Sequence, residues 1–214
     1  MAGRTLDVAR LLHYNSWARH KYLNLFGRLP WKILVRHRDA SFDSLRDILL
    51  HTLQVNSIWM EKNFEVRSLR GTTAALDSAH WPSYDRMSKI LSVEKRLDKA
   101  TLRFVDGLRP SDLDRRIFFE IKGRKGSMTW EEGLWHLVEE ELQHRGEMIA
   151  LLWEDDIEPP WTNFPRWHFA SRTVKPVDSL YTGSGAILQS DGGYVKRPRN
   201  APKKSGRLMV LAGE

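Results

Sequence analysis

Three ionisable residues recur at four-residue steps in the segment WHLVEEELQHRGEM at 135–148, namely His136, Glu140 and His144. If this segment is helical, residues four apart lie above one another, so the three side chains form a row on one face. Imidazoles and carboxylates are strong ligands for divalent metals, and the absence of cysteine excludes thiolate zinc sites. The row therefore indicates either a metal site or a flank of hydrogen-bonded polar groups.

Helical geometry limits which members of this row can share one ion. His136 and His144 are eight residues apart, which is about 12 Å along a helix and too far for two bonds of about 2 Å. A single site therefore uses His136 with Glu140, or Glu140 with His144, plus at least one group from another helix. The solvent-exposed side of the same helix is predicted to carry three further charges, on Glu139, Glu141 and Arg145.

His51 is the candidate for the group from another helix. It lies three residues after Ile48 and four before Val55, beside the apolar stripe of a predicted helix. A lone histidine there is more often a hydrogen-bonded core residue than a metal ligand. His51 becomes a ligand candidate only because the predicted fourth helix supplies a carboxylate–imidazole pair. Two imidazoles and one carboxylate leave coordination positions open, which is typical of a catalytic metal site.

Hydrophobic periodicity predicts the helices that would position these residues. The first predicted helix runs from Thr5 to about Phe26, and the second begins at an N-cap at Ser41 with Asp43 in its first turn. The third follows Pro82 and ends near Gly107. The fourth begins at an N-cap at Thr129 and ends at about Trp153. The run RIFFEIKGRKGSM at 116–128 predicts a short β-hairpin with its turn at 123–126. We therefore predict an all-α four-helix bundle with a hairpin before the last helix.

Some large or charged side chains can be placed on these helices. Five tryptophans at helical positions are predicted to pack in the core, namely Trp17, Trp59, Trp130, Trp135 and Trp153. Trp161 and Trp167 lie outside the bundle and are candidates for a pocket rim or a dimer contact. Glu94 falls on the inward stripe of the third helix, where it is a salt-bridged group, a base or an error of register. Gly146 inside a helix predicts close approach of another element.

The net charge of +7 is unevenly distributed along the chain. Residues 169–214 contain eight Lys or Arg and three acids, so +5 of the charge falls there and +2 remains on residues 1–168. We predict a bundle domain at 1–168 and an irregular basic extension at 169–214, partly disordered or packed as an appendage. This extension is a candidate for weak, non-specific nucleic-acid contact. Neither a membrane-spanning run nor a secretory leader is recognisable, so we expect a cytoplasmic protein.

Three segments resemble the DinB/YfiT-like superfamily over about residues 5–155. They are YNSWARHKYL at 14–23, Ser41 followed by LRDILLHTL at 45–53 and a later Trp59, and WHLVEEELQHRGEM at 135–148. The most specific element is HRGE at 144–147, where that family usually has His-Arg-Gly-Gln. The resemblance implies an up-down-down-up four-helix bundle that binds one divalent metal, commonly zinc or nickel, through three histidines.

The resemblance also implies which residues hold the metal. Two of the family's histidines match His51 and His144, while the middle one falls at Glu140. A carboxylate at this position shifts the preference towards harder ions such as iron or manganese. His136 matches a histidine often found in the family's fourth helix, where it is a core residue or supports a ligand. Glu147 either hydrogen-bonds a ligand or a metal-bound water, or is a solvated carboxylate.

Characterised members of this superfamily include thiol-dependent isomerases and thiol S-transferases. The resemblance therefore implies a metal-dependent enzyme, of transferase or hydrolase type, acting on a small molecule. Because the chain has no cysteine, any thiol must come from a low-molecular-weight cosubstrate. The alternatives are a damage-inducible stress-response binding protein whose metal is structural or vestigial, and an empty bundle that serves as a dimerisation scaffold. A homodimer is the expected assembly.

Overall fold

The computed structural model describes residues 4–121 and 123–171, and this part of the chain is mostly helical. The α-helices are α1 (Arg4–Phe26), α2 (Trp31–Leu34), α3 (Leu45–Ile58), α4 (Thr72–Ala75), α5 (Met87–Asp106), α6 (Trp130–Glu154) and α7 (Phe164–Ser171). Shorter turns are a π-helical segment at Trp59–Asn63 and 3₁₀ segments at Arg67–Leu69, Ser78–Ser83 and Pro110–Asp112. Strands β1 (Arg116–Ile121) and β2 (Arg124–Thr129) form an antiparallel hairpin before α6. The predicted helical fold with a hairpin before the last long helix is confirmed.

The four long helices α1, α3, α5 and α6 pack through their apolar faces. Helix α1 contacts α5 and α6, and helix α3 contacts the same two. Side chains from all four helices are fully excluded from solvent in the shared core, including Phe26, Ile48, Leu97 and Leu134. Within the described residues, no helix combines the length and the hydropathy that crossing a bilayer requires. Most of the predicted basic extension, residues 172–214, lies outside the described part of the chain.

The N-cap of α3 differs from the prediction. Ser44, not Ser41, caps this helix, because its Oγ accepts a hydrogen bond of 3.2 Å from the backbone N–H of Asp47. Asp47, rather than Asp43, is the acidic residue of the first turn. Two serines three residues apart offered the same local cap chemistry, and Ser41 is used instead in a contact with helix α6.

The start of α6 is set by a reciprocal cap, as predicted. The Thr129 Oγ1 accepts from the backbone N–H of Glu132 at 3.2 Å, and the Glu132 carboxylate accepts from the backbone N–H of Thr129 at 2.6 Å. One turn later, Gly133 allows close packing, because a Cβ there would lie 2.8 Å from the Trp59 ring. Local chemistry and one close contact therefore fix where the site-bearing helix begins and how it lies.

The hairpin turn is shorter than predicted. Ile121 pairs with Arg124 and Arg116 pairs with Thr129, so 124–126 belong to β2 and the predicted turn at 123–126 is wrong. Gly123 takes a φ of +77°, which favours glycine. At Gly126 a Cβ would lie 2.6 Å from the Phe119 ring, so the second glycine serves packing rather than a turn.

The tryptophan predictions are confirmed in part. Trp130 is buried, and Trp17 and Trp59 pack partly buried against apolar clusters. Trp135 and Trp153 are 45% and 41% exposed, so their placement in the core was wrong. Trp167 on α7 packs against Tyr14 of α1, with ring centroids 5.9 Å apart, whereas Trp161 is 49% exposed.

Candidate metal centre

Helices α3 and α6 bring His51, Glu140 and His144 together. One ligand atom from each of the three side chains lies within 4.8 Å of the other two. The Glu140 Oε2 is 3.7 Å from the His51 Nε2 and 3.5 Å from the His144 Nε2. These distances are too long for hydrogen bonds, but they are close to the roughly 3.3 Å between two ligands of one tetrahedral ion with bonds of about 2 Å. The donor set therefore fits a divalent metal ion.

The His144 ring is oriented by a second carboxylate. Its Nδ1 lies 3.1 Å from the Glu147 Oε2. Because a carboxylate only accepts, Nδ1 carries the hydrogen, and in the neutral ring Nε2 then presents its lone pair to the centre. The interpretation of Glu147 as a purely solvated carboxylate was wrong: Glu147 bonds one of the three converging side chains.

Glu147 is itself held by the loop before α3. The backbone N–H and the hydroxyl of Ser41 donate to the two Glu147 oxygens at 2.7 and 2.6 Å. Burial alone would raise the pKa of Glu147, but the Ser41 bonds and then His144 together lower it. The carboxylate therefore stays ionised and available to accept from His144. This contact explains why Ser41 is not the helix cap.

His51 is enclosed by aromatic rings. Its imidazole stacks on Phe42 with centroids 4.2 Å apart, and it meets the His144 ring edge-on at 4.8 Å. Burial, followed by the neighbouring His144, lowers the pKa of His51 and outweighs the opposing effect of Glu140. A lowered pKa favours the neutral imidazole, which is the form that binds metal.

His136 lies beside the cluster but outside the three converging groups. Its Nε2 is 3.7 Å from the Glu140 Oε1, and its ring packs against Trp59 at 5.1 Å. Helical spacing allowed two ligand pairs, His136 with Glu140 or Glu140 with His144. In the structure, His51 lies next to the second pair. The His51 and Glu140 side chains are 23% and 22% exposed, whereas His144 is 6% exposed. The centre is therefore reached from the His51–Glu140 side.

Sequence reasoning missed a buried ionic cluster on another face of α6. Glu141 and Arg145, which were predicted to face solvent, are only 5% and 4% exposed. The Arg19 guanidinium donates to Glu141 at 2.8 Å, to Asp98 at 2.8 Å and to Glu94 at 3.3 Å. Of the three interpretations of Glu94, the salt-bridged one is confirmed.

One signal for this cluster was present in the sequence. Arg19 follows Leu12 and Ser16, and precedes Leu23, at the three- and four-residue steps of the inner face of α1. A cation on that stripe demands buried carboxylates, and Glu94 on the inward stripe of α5 was one of them. Arg145 is held differently: its Nη2 donates to the Tyr14 hydroxyl at 3.0 Å and its guanidinium lies over the Tyr14 ring, while its buried Nη1 has no hydrogen-bond partner among the described residues.

Comparison with known proteins identifies the family of this chain. The profile of the DinB family matches residues 1–176. The chain belongs to the DinB family. The matched region contains α1 to α7 and thus all three converging groups of the candidate centre. No curated protein matches the chain, so DinB membership and the donor geometry carry the functional inference.

Proposed function

We propose that this DinB-family chain is a metal-dependent enzyme that acts on a small molecule through one divalent ion held by His51, Glu140 and His144. The supporting observation is the convergence of three donor atoms from two helices within 4.8 Å of one another. The bond from His144 to Glu147 adds to it, since that bond directs the Nε2 lone pair towards Glu140. In a flank of hydrogen-bonded polar groups, a donor would be expected to face the Glu140 carboxylate, rather than a second acceptor such as the neutral His144 Nε2.

The donor set suits activation of an incoming thiol or water. Two neutral imidazoles and one carboxylate offset one charge of a divalent ion, which when bound supplies the positive charge that lowers the pKa of a ligated thiol or water. Three protein ligands leave open positions, and the partial exposure of His51 and Glu140 gives access to them. Phe42 shields the His51 face from water and packs against Trp81, with ring centroids 5.8 Å apart.

The absence of cysteine limits where a nucleophilic thiol can come from. With no cysteine, the chain supplies no nucleophilic thiol of its own. We therefore propose either transfer of a low-molecular-weight thiol or hydrolysis by activated water. In both cases His144 and Glu140 hold their positions through Glu147 and the helix, while the substrate approaches from the exposed side.

Several finer expectations stay proposals. They are zinc or nickel from the family, iron or manganese from the carboxylate ligand, a homodimer, a cytoplasmic location and damage-inducible expression. We also propose that the four long helices form an up-down-down-up bundle within 1–168, which agrees with the contacts of α1 and α3 with α5 and α6. The proposed nucleic-acid contact by 169–214 falls almost entirely outside the described residues.

Elemental analysis tests the proposed centre. We expect about one equivalent of a transition metal at this centre, lost in both His51→Ala and His144→Ala. The matched control is His37→Ala, because His37 also lies near two carboxylates but its side chain is 73% exposed. Retention of this metal by the first two variants would refute the ligand set.

Activity is tested with a panel of small thiols and a model electrophile, and with esters. Turnover that disappears together with the metal supports the enzyme proposal. Metal binding without turnover on any thiol or ester favours the alternative, a stress-response binding protein with a structural metal.

A further inference from the structure

We propose a second divalent-cation site between α1 and α5, formed by the His20 Nε2 and the carboxylates of Glu94 and Asp98. One ligand atom from each of these side chains lies within 4.8 Å of the other two. The site shares no residue with the proposed centre of His51, Glu140 and His144. It does not depend on the function proposed above.

The His20 ring carries the strongest indication. Its Nδ1 lies 2.9 Å from the backbone carbonyl oxygen of Ser16, an atom that can only accept, so Nδ1 carries a hydrogen. In the neutral ring, Nε2 is then an acceptor. It faces the Glu94 Oε1 at 3.6 Å and the Asp98 Oδ2 at 4.0 Å. Acceptors facing one another at this spacing call for a proton or a metal cation between them, and a ring N–H bonded to a backbone carbonyl is typical of metal-ligating histidines.

Buried charge supports the same conclusion independently. The carboxylates of Glu94, Asp98 and Glu141 are at most 7% exposed, and they surround the single guanidinium of Arg19. When all three carboxylates are ionised, three negative charges against one positive charge leave two uncompensated, and a divalent ion would bring the cluster to neutrality.

The geometry also leaves a ligand atom and an entry path. Arg19 occupies the Asp98 Oδ1, so Oδ2 remains directed towards His20. The His20 side chain is 48% exposed while Glu94 is 2% exposed, so an ion can enter from the solvent side of α1. One nitrogen and two oxygen donors suit zinc or manganese rather than a soft ion such as copper(I).

The experiment uses the full chain with His51→Ala and His144→Ala, stripped of metal and titrated separately with Zn²⁺ and Mn²⁺ by equilibrium dialysis and elemental analysis. We expect one equivalent to bind in this background and to be lost when His20→Gln is added. His13→Gln is the matched control: His13 is also on α1 and contacts a carboxylate, Asp106, at 2.7 Å, but has no third ligand nearby in the described residues. The control should retain the equivalent.

A second readout needs no change at His20. Pulsed electron paramagnetic resonance of Mn²⁺ in the same background should show one coupled imidazole nitrogen. Circular dichroism confirms that each variant stays folded, which we expect because His20 is half exposed. The proposal is overturned if no equivalent binds, if His20→Gln retains it, or if NMR in the presence of Zn²⁺ shows both His20 ring nitrogens protonated, which would make a proton the only counter-charge.

Failure here and failure of the proposed function are distinguishable. Loss of metal from two equivalents to one on changing His51 and His144 supports the centre between α3 and α6, whatever His20 does. Loss from one equivalent to none on changing His20 supports only the second site.

Discussion

Glu140 and Glu141 are neighbours in the sequence, yet they serve two different clusters on helix α6. Glu140 faces α3 and lies 3.5 to 3.7 Å from three imidazoles, and no Lys or Arg among the described residues pairs with it. Glu141 faces α1 and α5, and it is paired with a buried guanidinium at 2.8 Å. The difference shows that equal formal charge and adjacent position do not define a role. The counter-charge supplied by the facing helix does.

The comparison predicts that the two clusters fail differently. The Arg19 cluster, formed by Arg19 with Glu94, Asp98 and Glu141, is almost completely buried, so a substitution that breaks it should lower the free energy of unfolding. The proposed metal centre is partly exposed, so breaking it should cost metal affinity while the fold persists.

The largest effect is expected for Arg19→Leu, which leaves three buried carboxylates without their cation. We expect the free energy of unfolding in urea to fall by about 3–5 kcal/mol. Any variant that remains folded should keep the metal at the His51 centre. A loss below about 1 kcal/mol would mean that the cluster is already neutralised by protons or by a bound ion.

Paired substitutions at the adjacent glutamates separate the two roles. Glu141→Gln should lower the free energy of unfolding by about 1.5–3 kcal/mol, because it removes a charged partner of Arg19, and should keep the metal of the His51 centre. Glu140→Gln should lose that metal with little change in urea denaturation. The same outcome for both variants would contradict the division of α6 into two faces.

Glu147→Ala should weaken metal binding at the His51 centre by about 10–100-fold, measured by competition with a chelator, because the His144 ring loses its acceptor. Glu147→Gln is the matched control, since its amide oxygen can still accept from the His144 Nδ1–H. If the alanine variant binds as tightly as the unchanged chain, Glu147 does not orient the ligand.

The pH dependence of stability tests the burial of the Glu94 carboxyl in the metal-free Arg19 cluster. Because burial raises the pKa of Glu94, the native state keeps a proton that the unfolded state loses near its ordinary pKa of about 4.3. Stability should therefore fall as pH rises from there through the raised pKa. We expect Glu94→Gln to remove this slope in urea denaturation with a chelator present. The control, Glu139→Gln on the exposed side of α6, should keep the slope.

The smallest effect concerns the outer face of α6. A Cβ at Gly146 would meet nothing within 4 Å among the described residues, so the predicted close approach there was wrong. Gly146→Ala should stabilise the fold by about 1 kcal/mol through helix propensity. Gly133→Ala, whose Cβ would lie 2.8 Å from Trp59, should lower the melting temperature instead. Equal shifts for both variants would refute this assignment of the faces.

Much of the helical framework could be predicted because its causes are local. Apolar periodicity located the long helices, and Thr129 with Glu132 marked the start of α6 three residues apart. Ser41 was misplaced because its hydroxyl finds an acceptor, Glu147, on a distant helix. Trp135 was misplaced because a large apolar side chain need not be buried.

The four-residue spacing of His136, Glu140 and His144 was readable from the chain alone, since helical stacking depends only on neighbours along the sequence. Tertiary packing decided which pair met His51, and it placed the Arg19 guanidinium against Glu141 rather than Glu140. The physical reason is that coordination and charge neutralisation act through space over a few ångströms. Arg19, for example, is separated from its buried carboxylate partners by 75 to 122 positions in the sequence.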